Sequence, residues 1–326
     1  MKRKKIIVCG FLTMMFVLAF GVCSTTAQGR RLTGTDSFKF TVINGGTAYS
    51  VSAGTAEGTV IIPAYYRPNA DSDYLPVTVI NNDAFKRCAN IIRITIPSTV
   101  TSIGDYAFSD CTNITGITIP SSVTSIGEEA FAGCINLTSV TIPSSVTSIG
   151  HGAFIYCLSL TGGITIPLGV TSIGDGTFEG TRLTSVTIPS SVTSIGNSAF
   201  GGCSDLTSIT IPASANVTSI GKLAFWECTS LTSITIPSSV TFIGDYAFAG
   251  CSGLTSITIP ASVTSIGNSA FVGCSGLTSI TIPSSVTSIG EEAFAWCSSL
   301  TSVTISRRTS IGRNAFPTTT RITYSD

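Results

Sequence analysis

The sequence predicts a mainly β, right-handed solenoid of about eleven turns, closed at its N-terminal end by a β cap. Three observations carry that expectation. A string of about 23 residues recurs from residue 76 to the C-terminus, and is clearest at residues 231–253, LTSITIPSSVTFIGDYAFAGCSG. Each copy centres on a Phe: Phe85, Phe108, Phe131, Phe154, Phe178, Phe200, Phe225, Phe248, Phe271, Phe294 and Phe316, at intervals of 23, 23, 23, 24, 22, 25, 23, 23, 23 and 22. Around Ile234 and Ile236, apolar and polar residues alternate with a period of two rather than 3.6, which is the pattern of a strand with one buried face.

Residues 1–27 read as a secretory signal peptide. Lys2, Arg3, Lys4 and Lys5 form a basic start, residues 6–22 an apolar run, and Thr25-Thr26-Ala27 a small-residue cleavage site. Two rival readings are an uncleaved membrane anchor, because 17 apolar residues lie at the lower limit for spanning a bilayer, and lipidation at Cys23. Either would be the chain's only route to a membrane. Residues 28–37 are a polar linker. Residues 38–75 differ from the repeat copies: Phe38, Phe40 and Val42 alternate with polar residues, and Asn44-Gly45-Gly46 supplies a turn. They are read as an N-terminal β cap, since the first turn of a solenoid would otherwise expose a hydrophobic end. The solenoid takes residues 76–326.

Within residues 231–253 the apolar letters are Leu231, Ile234, Ile236, Val240, Ile243, Phe248 and Cys251. Ser233 and Thr235 alternate with Ile234 and Ile236 in a main strand. Pro237 ends it, having no N–H for a ladder. Val240 and Ile243 point inward on the next side. Gly244 recurs as Gly104, Gly127, Gly150, Gly174, Gly196, Gly221, Gly267, Gly290 and Gly312, with Asn81 in the first copy. Gly or Asn predicts a left-handed turn there. Residues 245–251 are expected to form one helical turn. A period of 20–29 with Leu, Ile or Val at set offsets is a leucine-rich-repeat signature, so the predicted class is a leucine-rich-repeat solenoid. One such coil cannot bury enough surface to fold alone, whereas stacked coils share their faces.

The period breaks at three places between Leu160 and Val217. Gly162-Gly163 adds a residue, the stretch at Thr181-Arg182 is short and lacks the usual Cys, and residues 213–216 add two more. They are read either as loop drift or as a local bulge that shapes a binding site.

The recurring LTSITIPSSVTSIGxxAFxGCSxL resembles the BspA-type leucine-rich repeats of bacterial surface proteins, and FKFTVINGGTAYSV and LPVTVINNDAF resemble that family's lead-in. The resemblance runs from about Phe38 to Thr323. It implies a secreted or surface-exposed solenoid that mediates adhesion to host matrix proteins or to other cells.

Composition narrows the chemistry. Charged residues are only 10% of the chain, and the formal net charge is zero. Without residues 1–27 it becomes −4, so no basic face is available for nucleic acid. Nine of the eleven cysteines share one repeat position, from Cys88 to Cys297, in no zinc spacing. They are expected to be a buried column of free thiols, because in-register side chains keep their Cβ atoms too far apart for disulfides. Glu128, His151 and Asp175 follow the recurrent Gly in successive copies. They are the candidate metal ligands, against the simpler reading of a solvated edge. Tyr156, Trp226 and Trp296 lie one or two residues beyond the repeat Phe. They are the candidate ligand-binding residues, the alternative being that they pack at the edge of the coil. Ser139/Thr141, Ser185/Thr187, Ser208/Thr210, Ser233/Thr235, Ser256/Thr258, Ser279/Thr281 and Ser302/Thr304 form a Ser-x-Thr array, which ice binding or simple β preference explains. There is no GxSxG, no phosphate loop and one His, so neither catalysis nor a cofactor is expected. Only the edge from Glu128 to Asp175 comes near the carboxylate cluster that a polysaccharide-cleaving enzyme needs. The expected function is therefore extracellular binding of a protein or glycan, with a passive structural surface protein as the rival.

Overall fold

The computed structural model describes residues 38–325. The predicted leader and the linker lie outside the described residues. The expected solenoid is present, and each coil presents three faces to its neighbours.

The first face is a strip of short parallel strands from the main-strand letters. Ser233–Thr235 pairs with Ser256–Thr258 in strict register, Ile234 opposite Ile257. Ser279–Thr281 pairs likewise with Ser302–Ser306. The central Ile is buried while the Ser and Thr on either side are exposed, as the period of two requires. The second face is a strip of two-residue strands such as Phe242–Ile243 and Ser265–Ile266, again parallel and in register. Where the strips form they use the same letters of the repeat, so a shift of one letter would turn Ile outward; at residues 139–141 only an isolated bridge from Ser139 to Gly116 is made.

The third face differs from expectation. Residues 245–251 are not a helical turn. The N–H groups of Tyr246, Phe248 and Gly250 donate to the carbonyls of Asn268, Ala270 and Val272 in the next coil, at 2.9, 2.7 and 2.8 Å. Those of Ala247, Ala249 and Cys251 donate within the coil, to Gly244, Tyr246 and Phe248. A helix would turn every N–H inward along its own axis, whereas this arrangement gives half of them to the neighbour. Left-handed residues at Tyr246 (φ 57) and Gly250 (φ 73) make the alternation possible.

The recurrent glycines therefore serve a purpose other than the one expected. None of Gly104, Gly127, Gly150, Gly174, Gly196, Gly221, Gly244, Gly267, Gly290 and Gly312 is left-handed. They stand where the coils come closest. A Cβ on Gly244 would lie 2.7 Å from the carbonyl carbon of Gly221 and 2.8 Å from the Lys222 nitrogen, and most of the others meet backbone at similar distances. The left-handed positions are two residues before each Phe and two residues after each Phe except Phe316. Gly244→Ala should accordingly destabilise the chain by about 1–3 kcal/mol through overpacking. A chemical denaturation midpoint equal to that of the unaltered protein would contradict this account.

The core is one continuous cluster. Phe85 to Phe316 stack along its axis, with neighbouring ring centroids 5.0–5.6 Å apart and planes within 10° of parallel. Beside them runs the cysteine column. Cys111, Cys134, Cys157, Cys203, Cys228, Cys251, Cys274 and Cys297 are buried free thiols. Each donates its S–H to the carbonyl of the Phe in the preceding coil: Cys251 to Phe225 at 3.0 Å, and Cys134 to Phe108 at 3.2 Å. In the short coil Thr181 takes the cysteine's place. Its hydroxyl donates to Phe178 O at 2.9 Å and lies 3.3 Å from the Cys203 sulfur.

The region 38–75 contains both a cap and the first stacked strands. β1 (Lys39–Ile43) runs antiparallel to β2 (Ala48–Ser52), joined through a 3-10 turn at Asn44–Gly46. β2 is already parallel to the strand Leu75–Ile80, which starts the second strip. The strand Gly58–Ile61 is parallel to Ile91–Thr95 and starts the first. Phe40 and Tyr66 stack at 3.9 Å, with Tyr49 against both, and so cover the end of the core. Of the three period breaks, the one at Gly162-Gly163 shifts the register against Arg182–Thr187, so that Gly162 faces Leu183, Gly163 faces Ser185 and Thr184 is skipped, with Gly162 left-handed (φ 82).

Candidate functional site

The third face ends in an exposed loop edge that runs the length of the solenoid. Both sets of sequence-predicted site residues lie on it, in separate columns.

Glu128, His151 and Asp175 occupy one column on successive coils, as expected. Much of that column's polar capacity is spent on the backbone. The side chain in one coil accepts a hydrogen bond from the N–H at the same position in the next. Asp105 Oδ1 accepts from Glu128 N (2.8 Å), His151 Nδ1 from Asp175 N (3.0 Å), Asp175 Oδ1 from Asn197 N (2.7 Å), and Asn197 Oδ1 from Lys222 N (2.9 Å). Asp245 and Asn268 continue the ladder. Asp, Asn and His suit this column because each offers a short-armed acceptor to an otherwise unpaired N–H. Among the described residues no group of three or more His, Cys, Asp or Glu is placed to hold a metal ion. Beside the ladder, Tyr106 Oη donates to Glu128 Oε1 at 3.2 Å, and the Lys86 ammonium sits 4.2 Å from the Tyr106 ring centre. The Glu129 carboxyl is held above the usual range by partial burial and by neighbouring Glu128.

The aromatic residues are the more distinctive feature. Tyr156 is 46% exposed, Trp226 37% and Trp296 73%. Trp296 is therefore not packed at the edge, and the other two are only half covered. Tyr156 and Trp296 lie two residues beyond their Phe, at a left-handed position (φ 55 and 62). Five of the ten residues in that column are glycine: Gly133, Gly180, Gly202, Gly250 and Gly273. A left-handed L-residue costs about 1–2 kcal/mol, so a large exposed aromatic there opposes the backbone's preference. Trp226 lies one residue beyond its Phe. Small residues flank all three rings in their columns: Gly133 and Gly180 beside Tyr156, Gly201 and Ala249 beside Trp226, and Gly273 before Trp296. The two columns share one edge, as Tyr156 Oη donates to Glu179 Oε1 in the next coil at 3.2 Å. Partial burial and the Glu179 charge push the Tyr156 phenol above its ordinary range, so it stays a neutral donor. Burial also raises the Glu179 carboxyl. The letters reveal these aromatics but not their exposure, which depends on the small neighbours one coil away.

On the first face the Ser-x-Thr hydroxyls are outward and in register, with a shallow groove lined by Ser256, Thr258, Ser279, Thr281 and Pro283.

Comparison with known proteins places the chain. The family model described as BspA type Leucine rich repeat region matches residues 78–207 and 193–323, in six copies. No curated protein matches by sequence. Several solved structures are similar. A leucine rich cell surface protein from Faecalibacterium prausnitzii A2-165 is 29% identical, with a TM-score of 0.51, over 93% of this chain and 96% of that one. The T. pallidum leucine rich repeat protein is 25% identical, with a TM-score of 0.54, over 68% of this chain and 90% of that one. A leucine-rich repeat protein from Eubacterium ventriosum ATCC 27560 is 25% identical, with a TM-score of 0.54, over 90% and 77%. With its 23-residue coils, its Phe and Cys columns and a family match across most of its length, the chain belongs to the BspA-type leucine-rich repeat proteins.

Proposed function

We propose that the chain is a secreted or cell-surface binding protein that mediates adhesion through the loop edge of its solenoid. The observation that carries this reading is the exposure of Tyr156, Trp226 and Trp296 among small neighbours, two of them in a backbone conformation that favours glycine. Strain kept at an exposed aromatic points to a use for that aromatic. Binding rather than catalysis fits the edge, where the acidic and His side chains are largely engaged in the backbone ladder. The Faecalibacterium protein described as a cell surface protein supports the location.

The test is a binding panel of immobilised collagen, laminin, fibronectin and diverse glycans, with the folded protein as analyte. The expected result is saturable binding to at least one member, weakened about tenfold or more by Trp296→Ala, as for an aromatic anchor. The melting temperature should not change, because Trp296 is mostly in solvent. Absence of saturable binding by demonstrably folded protein would replace this reading with that of a passive structural coat.

A further inference from the structure

The three aromatics are evenly spaced. Counting coils by the buried Phe, Tyr156 belongs to the fourth, Trp226 to the seventh and Trp296 to the tenth. Each interval is three coils. In the Phe column those coils step by 5.5, 5.6 and 5.5 Å from Phe154 to Phe225, and by 5.2, 5.1 and 5.0 Å from Phe225 to Phe294. The rings therefore recur at a constant interval along the solenoid axis in two adjacent columns, Tyr156 and Trp296 in one and Trp226 in the other. Between them stand Gly180, Gly202, Glu227, Gly250 and Gly273 in the first column and Glu179, Gly201, Ala249 and Val272 in the second.

From this row we infer that the loop edge binds a linear, neutral polysaccharide laid along the solenoid axis, with an aromatic ring stacked on every third sugar. The inference rests on the loop edge being the binding surface. Three considerations select the ligand. A pyranose presents a face of C–H groups that packs on an aromatic ring, while its hydroxyls remain in water. One sugar of an extended, equatorially linked chain advances by about the height of one coil, so three sugars span three coils, and in a chain with a threefold twist such as xylan successive rings meet equivalent faces. A compact ligand would be served by clustered aromatics, and a row at a constant three-coil interval serves a polymer with a matching repeat. Finally, the charges beside the rings are acidic, Glu179 by Tyr156, Glu227 by Trp226 and Glu292 in the coil of Trp296, while Glu291 is paired with Arg313 at 3.2 Å and Lys222 is the one cation in the coil of Trp226. Anionic polysaccharides are repelled by such an edge and neutral ones are not.

Affinity electrophoresis of the folded protein in gels containing xylan or glucomannan tests this, with dextran and heparin gels in parallel. The protein should be retarded by at least one of the neutral β-1,4-linked polymers and by neither dextran nor heparin. Trp226→Ala should raise the dissociation constant about tenfold, and Trp226→Ala with Trp296→Ala further still. A second variant tests the spacing. Gly273→Trp combined with Trp296→Ala moves one ring back by one coil in the same left-handed column. Space is available there, since a Cβ on Gly273 comes no closer than 3.7 Å to the neighbouring coil. This variant keeps three rings, breaks the interval, and should bind as weakly as Trp296→Ala alone. Binding restored to the original strength would overturn the register requirement. No retardation by either neutral polymer, together with Trp296-dependent binding elsewhere in the panel, would overturn the polysaccharide assignment and leave the loop edge as the binding surface. Loss of both signals would overturn both readings.

Discussion

Phe225→Ala is expected to lower stability by about 3–5 kcal/mol, the range for emptying a fully buried aromatic site. Phe225 is wholly buried and stacks on Phe200 at 5.5 Å and on Phe248 at 5.2 Å, so its removal takes away both ring contacts and leaves a hole on the axis of the core. In an array whose coils touch only their neighbours, the damage should remain local while the coupling across it weakens. Thermal unfolding followed by circular dichroism should therefore change from one transition to two, as coils on either side of the gap melt separately. Phe316→Ala provides the contrast. That ring ends the stack, is only partly buried and has one ring neighbour, Phe294. Its loss should cost much less and should not divide the transition. Equal effects from the two substitutions would show that the stack is not a mechanical axis of the fold.

The second large effect is alkaline unfolding between about pH 9 and 10. Burial pushes the thiols of Cys157, Cys203 and Cys251 up to about 12. Burial likewise holds Cys111, Cys134 and Cys228 well above the ordinary thiol range, and a hydrogen bond with Cys297 together with burial does so for Cys274. The sign is set by linkage. The folded chain keeps these protons while the unfolded chain releases them, so their contribution is fully present below the unfolded value near pH 8.5 and is lost as pH rises toward the folded values. The loss runs at about 1.4 kcal/mol per pH unit for each thiol in that window, roughly 4 kcal/mol per unit for the three whose folded values lie near 12, and the other four thiols add in the same direction. The expected observation is cooperative loss of β signal in a pH titration, in step with the appearance of thiolate absorbance. At pH 7.5 the buried thiols should resist a thiol reagent and react only in denaturant. Cys228→Thr with Cys251→Thr should shift the alkaline midpoint upward, following the precedent of Thr181 in the same column. A midpoint unmoved by removing two thiols would assign the transition to other groups.

Much of the fold is legible in the letters because the repeat states each instruction many times. The Ile pair around Thr235 fixes a strand with one buried face, and the Phe and Cys columns come from their constant offsets. The places where sequence and structure differ share a physical cause: their meaning lies one coil away. Gly244 looks like a turn glycine, yet what excludes a side chain there is the backbone of Gly221 and Lys222. The true left-handed sites are filled by residues as varied as Tyr106, Glu129, Leu223 and Ser269, which carry no local turn signal. A single predicted helical turn at residues 245–251 neglects the alternate N–H groups claimed by the next coil. His151 and Asp175 read as metal ligands in isolation, and as acceptors for the neighbouring coil once stacked. The aromatic interval can be counted in the sequence. The exposure that gives it meaning depends on Gly133, Gly180, Gly201, Ala249 and Gly273 beside the rings.

The backbone bonds between coils lie along the solenoid axis, and this has a consequence for a molecule held at both ends. A pull along the axis loads the bonds of a terminal coil while the rest of the stack stays whole. Coils then detach one at a time. Each releases 23 residues of chain, roughly 75 Å when extended, from about 5 Å of stacked height. The array thus behaves as a spooled tether, lengthening many-fold under load while the coils still wound keep their aromatic row in place.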